Sequence, residues 1–210
     1  MSDPMRNYGI QSLKNTYSGG ITMVGNGPSL DFDNIEMPSL GVNSISLAFP
    51  NTDWRPDLYV CCSRQLLANN TLMERVRVVL KLGIPCFLNC DYRPVLGDWD
   101  NAHYVSFCRA KHAPMDGDWL QNGIWFYDYA TVMTSAAQIA QYLGFTELKF
   151  IGIDGYKSYF GDEDPNHFDK DYNTGLLLEG WGTCVFAVEE VNHQQRLAFE
   201  HIARHIKVVK

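Results

Sequence analysis

Short apolar runs, each closed by a glycine or a polar residue, alternate with helical patterns along this chain, and that alternation restricts the fold more than any other feature. Ile21-Thr22-Met23-Val24 stops abruptly at Gly25-Asn26-Gly27-Pro28-Ser29, Leu40 to Ile45 forms a second β-type run, and Asp57 to Cys62 forms a third, set up by Pro56. A helical pattern runs from about Leu66 to Leu82, with Arg75, Arg77 and Lys81 assigned to its outer side and Gly83 at its end; Ile84 to Leu88 then starts another strand. Thr134-Ser135 are read as the cap of a helix from Ala136 to Leu143, which Gly144 terminates. Leu148 to Ile153 is a near-continuous apolar run, as expected of a parallel strand buried on both faces. A last helix, from about Val191 to Ile206, places Phe199, Ile202, Ala203 and Ile206 on one face. Strands separated by helices require crossover connections, so the expected class is α/β and Rossmann-like, a mostly parallel central sheet with helices on both faces.

Residues 1–20 are polar and read as a loose N-terminal arm, and 21–210 as a single nucleotide-binding domain. Within it, residues 91–130 carry Trp99, Trp119 and Trp125 with few periodic elements, and read as an aromatic-rich lid or substrate wall. A chain of 210 residues with 46% hydrophobic and 20% charged residues has enough apolar content for a sizeable core. Its formal net charge of −7, with no basic cluster before Arg204, Lys207 and Lys210, argues against nucleic acid as partner; those three are read as a solvated helix end. The six cysteines lack metal-ligand spacing, and Cys61, Cys62 and Cys86 sit in strand-like runs, so they are read as reduced structural thiols. No apolar run approaches a transmembrane length, and a cytoplasmic location is expected.

The loop Gly25, Asn26, Gly27, Pro28, Ser29 directly follows a strand. Two glycines let backbone approach a ligand, and N–H groups in such a loop can point at a phosphate. It is neither GxGxxG nor a P-loop, since the P-loop lysine is missing. In a parallel sheet, Asn43, Ser63 and Asp154 leave three further strands at the same edge, where open α/β sheets bind ligands. The loop after Asp154 carries Tyr156, Tyr159 and His167, residue types able to donate to phosphate oxygens or to take a proton near neutral pH. Asp-x-Asp pairs occur five times, and Asp98/Asp100 and Asp162/Asp164 are the better candidates to hold a divalent ion on a diphosphate.

The string Ile21 to Leu30 resembles the N-terminal strand and loop of bacterial family-42 sialyltransferases. Thr134-Ser135, Ala140 to Gly144 and Phe150 to Tyr156 look like their central helix-strand-loop unit. This resemblance implies Asn26, Ser29, Asn43, Thr134 and Ser135 as contacts to the nucleotide of a CMP-sugar-like donor. It implies Tyr156 and Tyr159 at the leaving phosphate, and His193 as the base. Val132-Met133 stand where the sialyltransferases carry an arginine. A second string, Asp164-Pro165-Asn166-His167-Phe168 with Asp171-Tyr172 and Gly175, is similar to the 6-hydroxymethylpterin diphosphokinase-like proteins. The expectation is therefore a glycosyltransferase of surface-glycan synthesis, with a nucleotide-activated small molecule and a glycan acceptor as partners and no cofactor firmly implied. The alternatives are a diphosphokinase requiring Mg²⁺ and a non-catalytic nucleotide- or glycan-binding module.

Overall fold

The computed structural model describes residues 10–62, 70–109, 126–128, 131–155, 157, 165–172 and 185–209. Among them a seven-stranded, wholly parallel sheet is built from β1 (Gly20–Val24), β2 (Ser39–Val42), β3 (Leu58–Cys61), β4 (Cys86–Asn89), β5 (Ala102–Val105), β8 (Glu147–Ile151) and β9 (Lys207–Val209). The order is β5-β4-β3-β2-β1-β8-β9. Two further strands, β6 (Phe107–Arg109) and β7 (Phe126–Asp128), pair in parallel with each other. The helices are α1 (Asn70–Lys81), α2 (Arg93–Leu96), α3 (Val132–Leu143) and α4 (Val185–His205). The α/β, Rossmann-like class expected from the sequence is thus the observed one.

Side chains alternate across a strand, so each central strand feeds two cores. Ile21, Met23, Leu40, Val42, Leu58, Val60 and Phe87 pack with α3, with Ile202 of α4 and with Ile206 just past its end. Val24, Tyr59, Cys61, Cys86 and Leu88 pack with α1 on the other face. Helix α1 presents Leu72, Met73, Val76, Val79 and Leu80, an i, i+3/i+4 stripe, to that second core. Ala136, Ala137 and Ala140 of α3 are fully buried, and their small size lets the helix lie close over β1 to β3. Each fully buried Leu, Ile, Met or Phe contributes about 1.5–3 kcal/mol relative to exposure.

The chain runs outward from β1 to β5 with its connections on the α1 face, then returns through α3 on the opposite face to β8, on the far side of β1. Strand order therefore reverses between β1 and β8. That is the topological switch point, where the connections part to opposite faces and leave a crevice beyond the carboxyl ends of the strands. Val24 pairs with Ile151, Gly41 with Val24 and Val60 with Val42, so the exits of β1, β2, β3 and β8 share one edge.

Several local expectations are corrected. The run Leu40 to Ile45 is strand only to Val42; Asn43–Ala48 turns into a 3-10 segment, with Asn43 at φ +50°. Helix α3 starts at Val132 because Thr131, not Thr134-Ser135, caps it, its hydroxyl taking the Met133 N–H at 3.3 Å. Helix α4 begins at Val185, since no Gly or Pro interrupts 185–190; His193 is therefore inside the helix, and Ala203 is exposed. Lys207 belongs to edge strand β9 and pairs with Glu147, so it is not a helix end. Within the expected lid, residues 93–96, 102–105, 107–109 and 126–128 form regular elements, β5 being an edge of the main sheet, while 110–125 and 129–130 lie outside the described residues. From Ile10 onward the arm is docked: Ile10 is fully buried, and Asn15 and Tyr17 donate their N–H groups to Tyr142 and Leu143 at the end of α3. Cys61, Cys62, Cys86 and Cys90 are free thiols, and burial pushes the Cys86 thiol far above its ordinary pKa. Among the described residues no helix is long and apolar enough to cross a membrane.

Candidate functional site

The glycine loop is shaped first by its neighbour β8. Gly25 N–H donates to the Ile151 carbonyl at 2.9 Å and Gly27 N–H to the Gly152 carbonyl at 2.8 Å, extending the β1–β8 ladder past its last paired residues. A Cβ on Gly25 would sit 2.3 Å from the Gly152 oxygen, and one on Gly27 would sit 2.0 Å from Asp154 Oδ2. Leu30 N–H returns to the Gly27 carbonyl at 3.1 Å, closing a β-turn with Pro28 at its second position, where the fixed φ of proline fits. Ser29 N–H donates to Asp154 Oδ2 at 3.1 Å. The sequence reading places this loop's N–H groups on a phosphate; the structure commits those of Gly25, Gly27, Ser29 and Leu30 to acceptors within the protein. The glycines are required by the close approach of two backbones, and Asp154 stands at the loop as expected.

The polar side chains at the strand exits behave differently. Asn26 Nδ2 donates to the Val42 carbonyl at 3.1 Å, tying the exit of β1 to that of β2, while its buried Oδ1 has no partner among the described residues. Asn43 Oδ1 is likewise buried without a partner. Thr134, in the first turn of α3, has a fully buried hydroxyl with no partner among the described residues. The neighbouring Ser135 hydroxyl accepts from the Cys62 thiol at 3.4 Å, and Asn89 Nδ2 donates to the Cys62 carbonyl at 2.7 Å, fixing the helix start at the exit of β3. Adjacent strands lie about 4.8 Å apart, so the exits of β1, β2 and β3 fall within roughly 10 Å. Each buried polar group without a partner costs about 1–3 kcal/mol, a cost that a bound ligand or water can offset by completing the bonding.

Residues 165–172 close one side of this edge. Phe168 N–H donates to the Asn26 carbonyl at 2.9 Å, and its ring meets Phe32 edge-on at 5.7 Å. His167 stacks on Tyr172 at 3.6 Å with the rings nearly parallel, at 6°. The segment is held from below by Arg75, whose guanidinium donates to the Tyr172 carbonyl at 2.6 Å, the Asp171 carbonyl at 3.1 Å and Ser44 Oγ at 2.9 Å. Arg75 is buried, not on the outer side of its helix as the sequence suggests. Burial lowers its pKa, with Tyr172 and the carboxylates of Asp169 and Asp171 acting in the opposite direction. Asn166 bonds the Lys157 main chain through both amide atoms, at 2.6 and 3.0 Å, and so closes the loop that follows Asp154. Nothing local in the sequence marks Arg75, whose partners are remote, and Asn166, though part of the second string, carries no local sign of its partner, which lies across a long loop.

On the other side of Asp154 a cavity of about 610 Å³ opens between the exit of β8 and α4. Asn192, Gln195, Arg196 and Phe199 line it, the i, i+3, i+4, i+7 face of the helix. His193 is exposed and is not among the lining residues. Tyr156, Tyr159, Ser63 and the Asp162/Asp164 pair lie outside the described residues. Asp98 pairs with Arg93 at 2.6 Å, a contact that holds its carboxyl below the usual range. Among the described residues no group of three or more His, Cys, Asp or Glu stands close enough to hold a metal ion. No protein-family model, curated protein or solved structure matches this chain.

Proposed function

We propose that this chain is a transferase that binds the nucleotide of an activated sugar in the crevice beyond β1, β2 and β3, and passes the sugar to a glycan acceptor. The observation that carries ligand binding is that three buried oxygens with no partner among the described residues, Asn26 Oδ1, Asn43 Oδ1 and Thr134 Oγ1, stand at the exits of β1 and β2 and in the first turn of α3. Two are carbonyl-type acceptors, which suit the hydroxyls of a ribose or the amino group of a base; the first turn of α3 offers a favourable field for the adjoining phosphate. The choice of a sugar nucleotide rests on the resemblance to the family-42 sialyltransferases. On that reading His167 takes the acceptor proton as the acceptor oxygen bonds to the sugar carbon and the bond to the leaving phosphate breaks, and Tyr156 and Tyr159 steady the departing group. His193, exposed on α4 and not among the residues that line the cavity, is poorly placed for that role.

A thermal-shift panel of CMP, CDP, UDP, GDP and ATP, each with and without Mg²⁺, tests this. A cytidine nucleotide at about 100 times its Kd adds about 2.7 kcal/mol, or roughly 5–11 °C for a domain of this size. No shift with any nucleotide, or a shift that survives in an Asn26→Ala/Thr134→Val double variant, removes the crevice as the site. A second reading, the diphosphokinase, is favoured by one observation: residues Pro165 to Phe168 of the second string belong to the segment docked on the glycine loop through Phe168 and Asn26. An ATP shift that requires Mg²⁺ selects it. Nucleotide binding without turnover on any acceptor selects the binding module.

A further inference from the structure

The cavity on the α4 side of Asp154 differs in chemistry from the crevice. Its floor is apolar: Phe150 of β8 and Phe199 of α4 meet edge-to-face at 5.1 Å and 89°. Its walls are polar and of mixed sign, with the Asp154 carboxylate on one side and the amides of Asn192 and Gln195 and the Arg196 guanidinium on the other. At about 610 Å³ it falls within the roughly 300–1,000 Å³ typical of small-molecule sites. We propose that this cavity is a saccharide subsite, which takes the acceptor sugar of the transfer; the word acceptor rests on the reading of the crevice as the donor site.

The chemistry of the lining narrows the ligand. A purely apolar molecule would cut Arg196 and the second carboxylate oxygen of Asp154 off from water and offer neither a partner. A bare phosphate would meet the Asp154 carboxylate, and a simple ammonium would meet Arg196. A sugar ring satisfies all of it: its C–H face rests on the aromatic floor, and its hydroxyls donate to Asp154 and accept from Arg196 and the amide N–H groups. Position supports the same assignment. Asp154 Oδ2 already takes the Ser29 N–H, so one carboxylate joins the cavity to the loop that borders the crevice. A hydroxyl held at Asp154 therefore lies beside whatever the crevice binds, as transfer between the two requires.

The test is a glycan array probed with the labelled full-length chain, as wild type and as the variants Arg196→Ala, at an exposed position, and Gln195→Trp, which fills the cavity. The expected result is retention of a subset of glycans by the wild type, with a loss of about tenfold or more in both variants; removing one charge-assisted hydrogen bond suffices for that. The nucleotide thermal shift of both variants is measured in parallel and is expected to match the wild type. Retention of no glycan by the wild type, or equal retention by both variants, overturns the proposal. Glycan binding that the variants lose, with no nucleotide shift in any protein, leaves the subsite standing and removes the donor reading alone.

Discussion

Replacing Gly25 by alanine should damage the protein at the point where β1 and β8 leave the sheet. The new Cβ would lie 2.3 Å from the Gly152 carbonyl oxygen, 3.1 Å from its carbon and 3.1 Å from Ile153 Cγ1. The closest of these atoms is main chain and cannot rotate away, so the two strand exits must part by about 1 Å to reach ordinary contact. That movement takes the Gly25–Ile151 and Gly27–Gly152 bonds, now 2.9 and 2.8 Å, out of good geometry. Two weakened backbone bonds at about 0.5–1.5 kcal/mol each, added to an overpacking cost of about 1–3 kcal/mol, outweigh the gain of about 0.4–1 kcal/mol from a less flexible unfolded chain. The net loss is about 3 kcal/mol, which for a domain of this size lowers Tm by roughly 6–12 °C. Thermal melts without ligand, followed by circular dichroism, measure it. Gly20→Ala is the control within the same strand: its Cβ would meet only Glu147 atoms at 3.7 Å, an ordinary contact, so its Tm should stay at or slightly above the wild-type value. A Gly25→Ala protein that melts within about 2 °C of wild type would refute the claim that backbone packing, and not a ligand, demands this glycine.

Arg75→Met removes three hydrogen bonds from one buried guanidinium and should lower stability by about 3 kcal/mol in urea titrations; an unmoved midpoint would deny the clamp on residues 171–172. Thr134→Val replaces a buried hydroxyl that has no partner among the described residues, so Tm should hold or rise while affinity for the cytidine nucleotide falls about tenfold; a substantial drop in Tm would mean that the hydroxyl is bonded in the free protein. His103 is half-buried and stacked on Phe87 at 5.2 Å, and burial lowers its pKa below the ordinary value. It is neutral in both states above about pH 6.5; below that the unfolded chain takes the proton more readily, so its contribution is lost as pH falls toward the depressed folded value. The fall in Tm between about pH 7.5 and pH 5 should therefore be smaller in His103→Gln, and an equal fall in both proteins contradicts it.

The amino-acid sequence by itself determined the class of fold, because the signals for it are local. Apolar runs such as Ile21 to Val24 and Leu148 to Ile153 read as parallel strands, although β8 stops at Ile151 and only Leu148 in it is buried; the stripe from about Leu66 to Leu82 reads as a helix, seen over Asn70–Lys81 among the described residues; and Gly144, at φ +112°, ends α3 where expected. Placing Asn43 and Asp154 at the glycine-loop edge also followed, since parallel strands must all exit on one side. Two edge strands, β5 and β9, escaped notice because four and three residues are too few for a strand periodicity to show. What only the tertiary structure decided are the facts that depend on partners distant in the chain. The glycines at 25 and 27 answer to Gly152 and Asp154; Arg75 is drawn inside by carbonyls of residues 171 and 172; and α4 turns Asn192, Gln195 and Arg196 toward the cavity while His193 points away. A loop of glycines looks the same in sequence whether it faces a phosphate or another backbone. Only the sheet order, which sets β8 beside β1, identifies the neighbour, and that order comes from long-range packing and not from any one segment.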